Sequence, residues 1–108
     1  MTAGWRHTDF VARVGEQVTL RAMDGSGPGR DVRATLTACS EAVHSGGFVS
    51  YTVTFLAGPG APAEQAEYLI EAPGLDREPV FLVPVRHVGD HLEYEAVFNQ
   101  SVVNGSGP

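Results

Sequence analysis

EYLIEAPGLDREPVFLVPVRHVGDHLEYEAVFN, from Glu67 to Asn99, decides how this chain is read. Tyr68, Ile70 and Ala72 alternate with Glu67, Leu69 and Glu71, the two-residue period of a strand with one buried face. Pro73-Gly74 breaks that strand, and Leu75 to Glu78 reads as the rest of a connection. Val80 to Val85 is apolar at every position, the pattern of a strand covered on both sides. Pro84 cannot donate to a ladder, so it belongs at a bulge or with its nitrogen facing off the sheet. Val88-Gly89-Asp90 turns the chain. Leu92, Tyr94, Ala96 and Phe98 then alternate with Glu93, Glu95 and Val97. The stretch is therefore expected to be a three-stranded meander.

The sequence upstream continues the same grammar. Val18, Leu20 and Ala22 alternate with Gln17, Thr19 and Arg21. Val32, Ala34, Leu36 and Ala38 alternate with Arg33, Thr35, Thr37 and Cys39. Phe48 to Leu56 puts Val49, Tyr51, Val53 and Phe55 on one face, with the β-branched and aromatic enrichment of strands. Asp24 to Gly29 and Gly58 to Pro62 are loops, and Ser45-Gly46-Gly47 is a turn. Before the first strand, Thr8 or Asp9 is placed to cap a short helix through Phe10, Val11 and Val14, stopped by Gly15. Trp5 and Phe10 are expected to close one end of the core. Several short alternating strands with turn signals between them indicate an all-β fold, a small antiparallel β-barrel or sandwich of about six strands with a short N-terminal helix. Residues 1–100 form one β domain, and 101–108 read as a flexible tail.

At 108 residues the chain supports one thin core, burying roughly 60–65% of its unfolded surface. All seven basic residues are Arg, and the net charge is −6. Five acids and five Arg cancel as far as Gly58; beyond it eight acids face Arg77 and Arg86 alone. Such a half repels a phosphate backbone. Arg21, Arg30 and Arg33 are too few for a nucleic-acid face, and the glycines of 24–29 lack the Lys-Ser/Thr and the helix of a phosphate cradle. No stretch has the length of a membrane span or a signal peptide, so a soluble cytoplasmic protein is expected, with no membrane partner. The glycosylation patterns at Asn99 and Asn104 then count as chance.

Chemistry-bearing residues are sparse. His87 and His91 flank the last turn and could approach each other, with Glu93 two residues on. Two hairpin histidines fall short of the three or four ligands zinc takes. Cys39, on the polar side of its strand or just past its end, is one cysteine without a disulfide partner and reads as a small packed residue. Glu93 and Glu95 share a solvent face, whereas a general acid needs burial. No Gly-x-Ser-x-Gly elbow occurs. The reading is a non-enzymatic chain with no catalytic residue, metal or cofactor, acting through its surface on a protein partner or on itself. Trp5 is the candidate partner anchor, since Trp is enriched at binding hot spots; packing is its other reading. A small-ligand or carbohydrate-binding barrel is the rival, with Tyr51, Tyr68 and Tyr94 as lining residues or, alternatively, as core.

RVGEQVTLRA (13–22), YTVTFLAGPG (51–60), YLIEAPGL (68–75), PVFLVPV (79–85) and YEAVFN (94–99) together resemble an uncharacterised bacterial small β-domain family, a domain of unknown function. The ending is the most specific part, and Phe81 to Pro84 falls within the family's Phe-Leu-Val-Pro pattern. Members are commonly encoded near phage tail-collar-like proteins. The resemblance implies, by that association, an accessory part in a phage-tail-like or fibre-like assembly, and it carries no catalytic residues.

Overall fold

Alternation in five segments and the apolar run from Val80 to Val85 together produce six barrel strands. The computed structural model describes residues 5–22, 31–59, 61, 65–73 and 75–101. A helix α1 (His7–Ala12) precedes seven strands: β1 (Gln17–Ala22), β2 (Val32–Cys39), β3 (Val43–Ser45), β4 (Phe48–Ala57), β5 (Ala66–Ala72), β6 (Leu75–Val88) and β7 (His91–Ser101). All pairings are antiparallel. β1, β2 and β4 form one side of the wall and β5, β6 and β7 the other. β1–β5 and β4–β7 close the two into a six-stranded barrel, and β3 adds to the free length of β4. Closure removes the sheet edges that an open sheet would expose. The expected loop at 24–29 and the tail beyond Ser101 lie outside the described residues.

The inward set is the one the alternation marks. Val18 and Leu20, Val32, Ala34 and Leu36, Val49 to Ala57 at odd positions, Tyr68 and Ile70, Val80 and Leu82, and Leu92, Tyr94 and Ala96 are all buried. Among the described residues no polar or charged residue is fully buried with them. Of three register shifts, at Leu36/Ala38, Ile70/Ala72 and Pro84/Arg86, the first and last bear on the sequence reading. On β2 the pairing moves from Leu36–Phe55 to Ala38–Thr54, so a bulge at Thr37 swaps the faces beyond it. Ala38 turns outward and Cys39 packs partly against the core, the reverse of simple alternation. On β6 a shift between Pro84 and Arg86 places a bulge immediately after the proline, one of the two positions a strand proline tolerates.

Three expectations about the strands themselves are corrected. The connection assigned to Leu75–Glu78 is already strand: β6 pairs from Leu75, opposite Ala72. A three-residue strand, β3, was not foreseen; a run this short has no period to read, and all three residues are exposed. Gly46 and Gly47 join it to β4 with φ of 58° and 86°, the paired positive angles of a type I′ hairpin turn. Most important, β6 is not covered on both sides. Phe81 is 52% exposed, and Val83, Val85 and Val88 are exposed with it. Its second apolar face is the outer surface of the barrel, which no described element covers.

The helix starts earlier than Thr8. Asp9 stands in its first turn and accepts the Arg6 backbone N–H at 2.8 Å, satisfying a donor just outside the helix. Val14 lies beyond the helix end and is exposed, so it does not share a face with Phe10. Gly15, at φ 97°, turns the chain into β1, and its N–H bonds the Leu36 carbonyl at 2.7 Å.

The β6–β7 ladder runs only from Val83–Glu95 to Val88–His91. Below Val83, β6 pairs with β5 alone, and β7 beyond Glu95 pairs with β4 alone. The N-terminal segment bridges these two halves. The Trp5 N–H donates to Glu78 Oε1 at 2.5 Å, and Gln100 Nε2 donates to the Trp5 carbonyl at 3.3 Å. Glu78 pairs with the buried Ile70, so its carboxylate is on the inward face, and the Trp5 amide supplies it a donor. Trp5 (1% exposed) and Phe10 (0%) fill this end of the barrel as expected. Phe10 meets Trp5 at 4.9 Å, Phe98 at 5.0 Å and Tyr51 at 6.0 Å between ring centroids, and Tyr51 stacks on Phe98 at 5.2 Å.

Candidate functional site

The residues with the most reactive side chains are scattered. His7 sits on α1, its Nε2 2.8 Å from the Ser40 carbonyl oxygen and its ring edge-on to Tyr51. His44 is exposed on β3. His87 pairs with Leu92 and His91 with Val88, so the two hairpin histidines point to opposite faces of the ladder and do not converge. Among the described residues no three His, Cys, Asp or Glu side chains gather as metal ligands would. Cys39 is half-buried, and burial pushes its thiol pKa up, which lowers the thiolate fraction a nucleophile needs.

Charges on the wall are mostly paired. Glu93 meets Arg86 at 3.4 Å. Arg21 joins Glu71 at 2.7 Å and Asp31 at 2.9 Å, and Glu71 also takes Arg77. The hydrogen bond and charge of Glu71, then the charge of Asp31, raise the Arg21 pKa further. Of the three arginines weighed for nucleic acid, Arg21 is thus tied to carboxylates, Arg33 contacts Gln17 at 3.4 Å, and Arg30 lies outside the described residues. An open depression of about 250 Å³ beside this network is lined by Gln17, Val18, Thr19, Arg33, Glu71 and Pro73. It mixes both charges over a shallow floor.

Tyr51, Tyr68 and Tyr94 are core residues. Each is buried, and Tyr68 and Tyr94 face each other at 6.3 Å. Burial, as the largest cause, lifts the Tyr51 and Tyr94 hydroxyl pKa values well above the ordinary tyrosine value. Trp5, the candidate anchor, is packed against Phe10 as described, with the Arg13 guanidinium 6.0 Å from its ring centre.

What the structure adds is an apolar strip on the outside of the wall. Val83 pairs with Glu95 and Arg86 with Glu93, both outward. Phe81, two residues before Val83, lies on the same face, and Val88, paired with His91, continues it; Val85 sits in the bulge. On β7, Val97 is 71% exposed on that outer surface. Glu67, opposite Phe81, and Glu95, opposite Val83, flank the strip. Among the described residues neither makes an ion pair. The signal for this surface was the doubly apolar run itself. Period alone could not say whether its second face met another layer or the solvent.

The chain matches the model of a family described as Domain of unknown function (DUF6916) over residues 5–98. That span takes in Trp5 and all of the barrel except the last three residues of β7. The description names neither an activity nor a partner. No curated protein and no solved structure matches the chain.

Proposed function

We propose, for a chain that belongs to the DUF6916 family of domains of unknown function, a non-enzymatic role as a structural or protein-interaction module. The observation that carries it is where the apolar side chains stand. The barrel interior is filled by its own side chains, while large apolar residues remain outside on β6 and β7. Several large apolar residues exposed along one strand of a small domain suggest contact with another macromolecule. The family resemblance in the sequence suggests the setting, an accessory component of a phage-tail-like or fibre-like assembly, in which the module packs against a tail-like partner or against copies of itself.

Light scattering across a concentration range, combined with pull-down of the proteins encoded beside it, tests this. Association with itself or with a neighbour is the expected result. A strict monomer that holds none of those proteins refutes the module reading.

A further inference from the structure

We infer that the outer face of β6, with Val97 of β7, docks a protein partner whose contact surface is apolar and flanked by lysine or arginine. This rests on the module reading and names its working surface. The apolar part is Phe81, Val83, Val85, Val88 and Val97, all exposed on the outer wall. The polar part is Glu67 and Glu95, each beside an apolar strip residue in the ladder and each without an ion pair among the described residues. The nearby carboxylates Glu71 and Glu93 are, by contrast, already joined to Arg21, Arg77 and Arg86. An apolar centre bordered by two unneutralised acids is complementary to an apolar centre bordered by cations.

Charge also argues against a second copy as the occupant. The chain has no lysine, and both arginines of its acidic half, Arg77 and Arg86, are engaged with Glu71 and Glu93. Two such faces brought together would set Glu67 and Glu95 among like charges and supply no free cation. Like charges in contact oppose association and select against the wrong partner. Rigidity helps the proposed use: the strip lies on barrel strands, so its side chains are presented with little ordering cost on binding.

The test uses the full chain, isotopically labelled for amide NMR, and three synthetic peptides of equal length: alternating Val and Lys, alternating Val and Glu, and alternating Ser and Lys. The Val–Lys peptide should give saturable shifts centred on Phe81, Val83, Val85 and Val97, and the other two should bind at least about tenfold more weakly. Phe81→Ser should weaken the Val–Lys peptide at least about tenfold. Val97→Thr, on the neighbouring strand, should weaken it in the same direction and serves if Phe81→Ser perturbs the fold. Glu67→Gln with Glu95→Gln should flatten the salt dependence of binding. Absence of saturable binding, equal binding of the Val–Glu peptide, or saturable shifts centred on another face overturns the inference. So does a concentration-dependent dimer whose interface maps to this strip, which would give the surface to a second copy. A neighbouring gene product that is held equally by wild type and Phe81→Ser refutes this surface while leaving the module reading intact. A monomer that holds neither neighbours nor peptide refutes both.

Discussion

Phe10→Ala separates two views of the N-terminal segment: part of the barrel's cooperative core, or a cap that can lift away. Phe10 is fully buried and meets the rings of Trp5, Phe98 and Tyr51. Truncating a buried Phe costs about 3–5 kcal/mol when the surroundings cannot collapse into the space. That is a large part of the roughly 5–15 kcal/mol that holds a domain folded. If the segment can detach alone, however, the loss cannot exceed the free energy of its docking, because the barrel would remain folded without it. The bonds of Trp5 to Glu78 and Gln100, across the gap where β6 and β7 do not pair, argue that docking and barrel closure are one event. The full loss is therefore expected, with a fall in melting temperature of roughly 12–25 °C. Phe55→Ala, in the middle of the wall, is the reference, since no segment can detach to evade its cost. The assay is unusually direct. Trp5 is the single tryptophan of the chain, so its fluorescence reports the segment while far-ultraviolet circular dichroism reports the barrel. The two urea transitions should coincide in wild type and in Phe10→Ala. A fluorescence transition that precedes the dichroism transition, with Phe10→Ala costing under about 1 kcal/mol against the full cost at Phe55, would refute the reasoning.

The remaining predictions concern single groups. Glu78→Gln keeps the size of the side chain but replaces a charge-assisted acceptor of the Trp5 amide, and should cost about 1–2 kcal/mol in urea denaturation, with Trp5 fluorescence shifting in the native state. Gly47→Ala and Gly89→Ala place a Cβ at φ of 86° and 62°, and each should cost about 1–2 kcal/mol although nothing lies near enough to clash. Tyr51 and Tyr94 should make the fold alkali-sensitive. Their folded pKa values are raised, so the stability they confer is complete below the ordinary tyrosine value of about 10 and is lost as pH rises above it, because the unfolded chain gives up those protons first. Stability should therefore fall progressively as pH rises above about 10. Phenolate absorbance and loss of circular dichroism should follow the same pH curve, and Tyr94→Phe should flatten it.

The barrel was legible because its signal is local. Val18 and Leu20, Val49 to Ala57, and Leu92 to Phe98 each state their own inward face in a two-residue period, and the structure buries that face. Features that depend on a partner strand were not legible. Thr37 looks like any other outward residue of β2, yet the register against β4 slips there and turns Cys39 inward. Val43–Ser45 is strand only because Phe48–Ser50 lies beside it. His87 and His91 are close in sequence, but ladder pairing sends them to opposite faces. Glu78 looked like part of a polar connection and is instead an inward carboxylate holding the Trp5 amide.

The run from Val80 to Val85 shows the same limit where it bears on function. An apolar residue at every position states that both faces of a strand avoid water, and within one chain the usual answer is a layer on each side. Here a six-stranded barrel has only one inside. Val80 and Leu82 take it, and Phe81, Val83 and Val85 are left on the outer wall with no described element of this chain to cover them. Strand faces that meet water usually carry polar side chains, as the middle of the outward face of β4 does with Ser50, Thr52 and Thr54, although Phe48 is exposed at its end. Of these two outer faces, on strands that both flank β7, β6 carries the longer apolar run, Phe81, Val83, Val85 and Val88 against Phe48 alone. Packing of the barrel explains the inner half of the Phe-Leu-Val-Pro segment and leaves the outer half unexplained, and a contact beyond the chain is the physical reason that would account for it.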